Sequence, residues 1–194
     1  MAGIGIFGGT FDPPHLGHER AARAAADALE LDEVLWVVAN DPYLREQAPT
    51  ASGPDRLAMV EAACEADPRF TACDLELARG GPSYSVDTAR TLRALHPGLR
   101  LVLIVGADLV ASLPSWHEAA ELAELVEVAV VPRPGSPAPS APRGFATQLL
   151  PMDAVDLSSS ALREALATGA SPAQGLAEGV VRVLSERHLY DSTL

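Results

Sequence analysis

The sequence contains no lysine, and all 14 of its Lys/Arg side chains are arginine. That excludes mechanisms built on a lysine amine, among them the lysine-bearing phosphate loop and Schiff-base chemistry. An anionic substrate must instead be held by arginine, histidine and backbone N–H groups. Positive charge is scarce overall. The net charge of −12 argues against nucleic acid or a membrane surface as partner, since both are polyanions. Cysteine is nearly absent: Cys64 and Cys73 stand alone, without metal-type spacing, so a reduced, cytoplasmic chain is the default. Long hydrophobic runs are missing as well. "VLWVVA" and "LVLIVG" are far shorter than the roughly 20 residues of a membrane span, and no basic-then-apolar leader is read at the start.

What is present suits one α/β domain. The 194 residues are 48% hydrophobic, enough for a sizeable core. Apolar runs at 3–7, 33–39, 99–106 and 126–132 read as buried strands, and "FTACDLEL" (70–77) reads as a strand of period two. Between them, 16–29, 54–66, 85–96, 115–125, 158–169 (ending at Gly169) and 177–188 read as helices. "RPGSPAPSAPRG" (133–144) is a proline-rich loop. The alternation predicts a single domain over 1–194, a doubly wound parallel sheet of Rossmann-like type with helices on both faces. Ligands of such sheets lie beyond the carboxyl ends of the strands. Gly3, Gly5 and Gly8 match G-x-G-x-x-G, but the middle of that match is itself the predicted strand, so a dinucleotide fingerprint is not supported.

The chemistry concentrates in "GGTFDPPHLGH", residues 8–18. Gly8 and Gly9, without Cβ atoms, let a phosphate approach the backbone. Pro13 and Pro14 suit the first turn of a helix whose N-terminus attracts anions. His15 and His18 lie three apart and face one side, and Gly17 between them leaves room for a ligand. Each residue alone has an ordinary turn or capping role. Asp12, His15 and His18 would also offer three metal ligands, without an evident fourth.

The stretch "GIFGGTFDPPHLGH" resembles the N-terminal signature of the HxGH nucleotidylyltransferases, in particular the bacterial nicotinate-nucleotide adenylyltransferase family. "GGPSYSVDT" (80–88), "LIVGADLVASLPSW" (103–116), "LSSSALREAL" (157–166) and "GVVRVLSERHLY" (179–190) resemble further family segments in the same order. The last two would form the ATP-side and C-terminal helices of the domain. The resemblance implies that the phosphate of nicotinate mononucleotide attacks the α-phosphate of ATP, giving deamido-NAD and pyrophosphate in NAD biosynthesis.

It further implies roles residue by residue. His15, His18 and Arg163 would be the catalytic groups on the phosphates. Gly8, Gly9, Thr10, Phe11, Gly106, Asp108, Ser159 and Ser160 would bind nucleotide. Trp116 would stack on the pyridine ring, Ser85 and His117 would hold its carboxylate by backbone groups, and Tyr84, Asn40 and Arg45 would complete the acceptor side. Mg²⁺ would be the cofactor, bound mainly through substrate phosphates. The segment "NDPYLRE" (40–46) departs from the family's Pro-Pro-His-Lys-like element: Arg45 stands in for lysine with a different geometry, Leu44 removes a polar group and Asp41 adds a negative charge. A cytidylyltransferase with another phosphate or phosphonate acceptor, or a nucleotide-binding module without catalysis, are the competing readings. Oligomeric state is left open.

Overall fold

The computed structural model describes residues 3–42, 47–135, 140–168 and 175–190. Its strands are β1 (Gly3–Gly9), β2 (Glu33–Val38), β3 (Phe70–Cys73), β4 (Arg100–Gly106), β5 (Glu127–Val131) and β6 (Thr147–Leu149). Its helices are α1 (Leu16–Ala28), α2 (Gly53–Cys64), α3 (Leu75–Arg79), α4 (Ser85–Leu95), α5 (Ala107–Val110), α6 (Ala119–Leu125), α7 (Ser159–Ala167) and α8 (Glu178–Arg187). All the strand pairs are parallel, in the order β3-β2-β1-β4-β5-β6. This is the doubly wound order with the switch point between β1 and β4.

Strand residues alternate between two cores. Phe7, Val34, Trp36, Val38, Val102, Ile104, Ala129 and Val131 face one side, where α1, α2 and α8 pack, with Leu162 of α7. Ile4, Ile6, Leu35, Val37, Leu101, Leu103, Val105, Val128 and Val130 face the other, under α4, α5 and α6. The first face combines large and small. Ala21, Ala22, Ala25 and Ala26 of α1 are buried, so this helix approaches closely, and Phe7, Phe11 and Trp36 fill the remaining space with ring centroids 5.2–5.6 Å apart. No helix among the described residues is long and apolar enough to cross a membrane.

Four details differ from the sequence reading. The strand expected over 70–77 stops at Cys73, opposite Val37. Its only partner among the described residues, β2, ends at Val38, so the residues beyond find no ladder there to join, and 75–79 coil into α3. The helix expected over 115–125 is broken. Leu113–Ser115 form a 3₁₀ turn, Glu118 takes a left-handed φ of 48°, and α6 begins only at Ala119. Strand β6 was not anticipated: three half-exposed edge residues carry no periodicity. Helix α7, expected from 158, begins at Ser159, because Ser158 is its cap: the Ser158 hydroxyl accepts from the Ala161 N–H. The predicted stop at Gly169 lies outside the described residues.

Candidate active site

The β1–β4 ladder ends at Ile6 and Leu103. Beyond it, β1 continues along β2 to Gly9 and β4 continues along β5 to Gly106. The two strands part, and a cavity of about 410 Å³ opens between them. Phe7–Phe11 form one bank and Leu103–Gly106 the other; His15 and His18 of the α1 entry, Ser85 at the start of α4, Trp116 and Ser159 add to its lining. Asp108, Glu76, Ser83, Leu109 and Arg133 also face it.

The two imidazoles form one unit. His15 is the N-cap of α1, and its backbone N–H donates to His18 Nδ1 at 3.1 Å. Their rings stack with centroids 3.7 Å apart at 26°, and His18 meets the Phe11 ring edge-on at 5.2 Å. His15 is 6% exposed. Burial, helped by the Arg133 guanidinium, pulls its pKa down to about 4, so it is neutral at pH 7. Its Nδ1 is buried and has no hydrogen-bond partner among the described residues.

The glycines divide their work differently from the expectation. A Cβ on Gly8 would meet open space, which leaves that backbone accessible to a ligand. Gly9 is required by packing, because its Cβ would lie 2.8 Å from the Phe11 ring. Gly17 lines the cavity and makes room for the His15 ring, 2.9 Å from an added Cβ. Pro13 and Pro14 precede the helix instead of forming its first turn, which starts at Leu16. Their segment is outside the helical hydrogen-bond pattern, and its carbonyls serve α7. Ser159 Oγ donates to Pro13 O at 2.8 Å, and Arg163 Nη1 donates to Asp12 O at 2.6 Å. Arg163 therefore reaches the histidine loop from a distant part of the chain, although its side chain does not line the cavity. Ser160 lies beside Arg163, outside the lining.

Asp12 is not arranged as a metal ligand. Its carboxylate, 2% exposed, accepts from Thr50 N at 2.8 Å, Ala51 N at 3.0 Å and the Tyr190 hydroxyl at 2.6 Å. Among the described residues no three His, Cys, Asp or Glu side chains are grouped to hold a metal. Asp108, 56% exposed in its side chain, stands on the cavity rim.

The Trp116 end of the cavity is flanked by surface loops. Trp116 is 8% exposed; its indole N–H donates to Ser112 Oγ at 3.0 Å, so it belongs to the second core and to the cavity wall at once. Tyr84 caps α4 and stacks on His117 with centroids 4.1 Å apart, but neither ring lines the cavity. Asn40 ties two loops together: its N–H donates to Ser83 Oγ at 2.9 Å and its side-chain amide to Gly81 O at 3.0 Å. It is a strut beside the cavity, not part of its lining. Arg45, with Tyr43 and Leu44, lies outside the described residues.

Sequence reading missed Arg133 and Glu76. Arg133 follows β5 in a segment set aside as a proline-rich loop. Its Nε lies 3.5 Å from Asp108 Oδ1, and its one sequence signal was position just past a strand end. Glu76 is a buried carboxyl hidden in the supposed strand. Its Oε1 accepts from Thr88 Oγ1 at 2.6 Å, and burial raises its pKa.

Residues 6–165 match the model of the cytidylyltransferase-like family. Over 98% of its length the chain is 42% identical to the probable nicotinate-nucleotide adenylyltransferase of Shouchella clausii, covering 97% of that protein. It is 38% identical to the probable nicotinate-nucleotide adenylyltransferase of Streptomyces coelicolor, over 94% of this chain and 98% of that one. Among solved structures, it resembles Plasmodium falciparum nicotinic acid mononucleotide adenylyltransferase complexed with NaAD, with a TM-score of 0.82 at 20% identity over 98% of each chain.

Proposed function

The chain belongs to the cytidylyltransferase-like family and, within it, to the nicotinate-nucleotide adenylyltransferases, and on that premise we propose that it transfers AMP from ATP to nicotinate mononucleotide, releasing pyrophosphate and forming deamido-NAD. One observation carries the reading to this molecule: a single cavity joins the paired imidazoles of His15 and His18 to the Trp116 wall.

The residues suit this chemistry. A phosphate monoester has a second pKa near 6 and is a nucleophilic anion at neutral pH, so no side-chain base is required. An oxygen of the mononucleotide phosphate attacks the α-phosphorus of ATP, the α–β bridging bond breaks, and pyrophosphate leaves with the electron pair. The protein's task is alignment and charge stabilisation. We assign the triphosphate to Gly8, the α1 N-terminus, His15, His18 and Arg163, with Ser159 and Ser160 at the start of α7. His15, neutral and with an unsatisfied Nδ1, would serve as a hydrogen-bonding group rather than a cation. Gly9, Thr10 and Phe11 shape the phosphate path, and Gly106 and Asp108 are assigned to the ribose of ATP. Arg133, just past the end of β5, adds a cation to the cavity. Trp116 is assigned to the pyridine ring, with backbone groups near Ser85 and His117 for its carboxylate. Mg²⁺, carried mainly by the substrate phosphates, would neutralise their charge.

Pyrophosphate release measured with a panel of ATP or CTP against nicotinate mononucleotide, nicotinamide mononucleotide and other phosphate acceptors tests the proposal. The expected outcome is turnover with ATP and nicotinate mononucleotide. Preference for CTP would assign the chain to a sibling reaction, and nucleotide binding without release would make it a binding module.

A further inference from the structure

We propose that Tyr190 is a positioning residue, whose hydroxyl, acting through Asp12, latches the loop that carries His15 and His18; this rests on the adenylyl-transfer reading of that loop. Tyr190 and Asp12 lie 178 positions apart, and the phenol donates to Asp12 Oδ1 at 2.6 Å. The chain reaches that contact by two left-handed residues after α8, His188 at φ 51° and Tyr190 at φ 60°. Non-glycine residues adopt this conformation reluctantly, and it persists only where the surroundings impose it.

The loop before the histidines has two fixed ends and one side-chain anchor. Upstream, buried Arg56 donates to Thr10 O at 2.9 Å and to Ala39 O at 2.7 Å. Downstream, Leu16 N–H donates to Gly175 O at 2.9 Å, in the segment just before α8. Between them Asp12 is the anchor, held by two backbone N–H groups, by Tyr190, and on its carbonyl by Arg163. Arg163 is one of the proposed phosphate ligands, so Asp12 meets the catalytic cation and the phenol together. The Arg163 guanidinium lies 3.7 Å from Asp12 Oδ2. Burial and the Asp12 carboxylate raise the phenol pKa, which keeps Tyr190 a donor.

The attachment of α8 does not depend on this contact. Val180, Val183 and Leu184 are buried, and Arg187 pairs with Asp55 at 2.9 Å. Removing the hydroxyl should therefore leave the helix docked, with Asp12 keeping its two N–H donors. What changes is how tightly the imidazoles are placed, and small misplacements at a reacting centre carry large rate penalties.

The test compares Tyr190→Phe with Arg187→Ala in the full-length protein. Tyr190→Phe should lower kcat by about tenfold, with KM for ATP and for nicotinate mononucleotide held within about twofold. It should also shift the His15 and His18 imidazole nitrogen resonances, with a Tm change of no more than a few degrees. Arg187→Ala should lower Tm and leave kcat and the imidazole resonances unchanged. A Tyr190→Phe protein with wild-type kcat, or with reduced kcat and unmoved imidazole resonances, overturns the proposal. If the wild-type protein itself releases no pyrophosphate, the functional reading has failed separately, and the imidazole resonances alone decide whether the latch exists.

Discussion

The two ends of the cavity are held in different ways. At the histidine end, buried and half-buried side chains hold the loop from several directions: Arg56 through three carbonyls, Asp12 through three donors, and Ser159 and Arg163 through the Asp12–Pro13 carbonyls. At the Trp116 end, exposed loops are stitched mostly to each other, Asn40 to Ser83 and Gly81, Ser83 N–H to Asp41 O, and Tyr84 against His117. The first end is tied down from several sides of the fold. The second leaves chain segments free to vary without disturbing the core. A site arranged this way keeps one phosphate chemistry while the partner of that chemistry is chosen on the rim.

The comparison breaks most easily at Arg56. Arg56→Met would leave the carbonyls of Thr10, Ala39 and Ala51 buried without a donor, at a loss of about 4 kcal/mol in urea unfolding. A loss under about 1 kcal/mol would mean that the histidine end is less firmly built than described. Acid should act on the same end. An unfolded chain protonates His15 near 6.5, whereas the folded protein resists until about 4. Stability tied to His15 is therefore full above 6.5 and is lost as pH falls toward 4, by an amount on the order of 3 kcal/mol. The difference between wild type and His15→Gln across that window isolates the effect, and parallel pH profiles would refute it.

Two substitutions then separate the ends by kinetics. His18→Ala should reduce kcat by roughly a hundredfold or more, with KM for ATP changed less; unchanged turnover removes His18 from the mechanism. Trp116→Ala should raise KM for nicotinate mononucleotide by about tenfold, the scale of one lost aromatic contact, and KM for ATP far less. Equal changes in both, or loss of stability alone, would place Trp116 in the core only.

The histidine end was legible in the sequence because its parts are neighbours along the chain: Gly8 to His18 is a continuous segment, and each residue type narrows the chemistry. The sheet was legible for the same reason, since buried parallel strands announce themselves as apolar runs. What escaped depends on partners distant in sequence. The end of β3 was set by where β2 stops, so alternation through Leu77 misled. Gly17 and Gly9 were read for their access to a ligand, and only the fold shows that, besides lining the cavity, they are packed against the His15 and Phe11 rings. Asp12 offered itself as a metal ligand until its donors, at positions 50, 51 and 190, were placed around it. Glu76 carried no local pattern, and Arg133 only its position just past a strand end.

Protein synthesis runs from the amino end, and the Asp12–Tyr190 contact joins two residues made 178 positions apart. A growing chain with its sheet already assembled still lacks the phenol, so full activity waits for Tyr190 to emerge. A released chain that stops at Leu189 should fold its sheet and turn over slowly, in step with Tyr190→Phe.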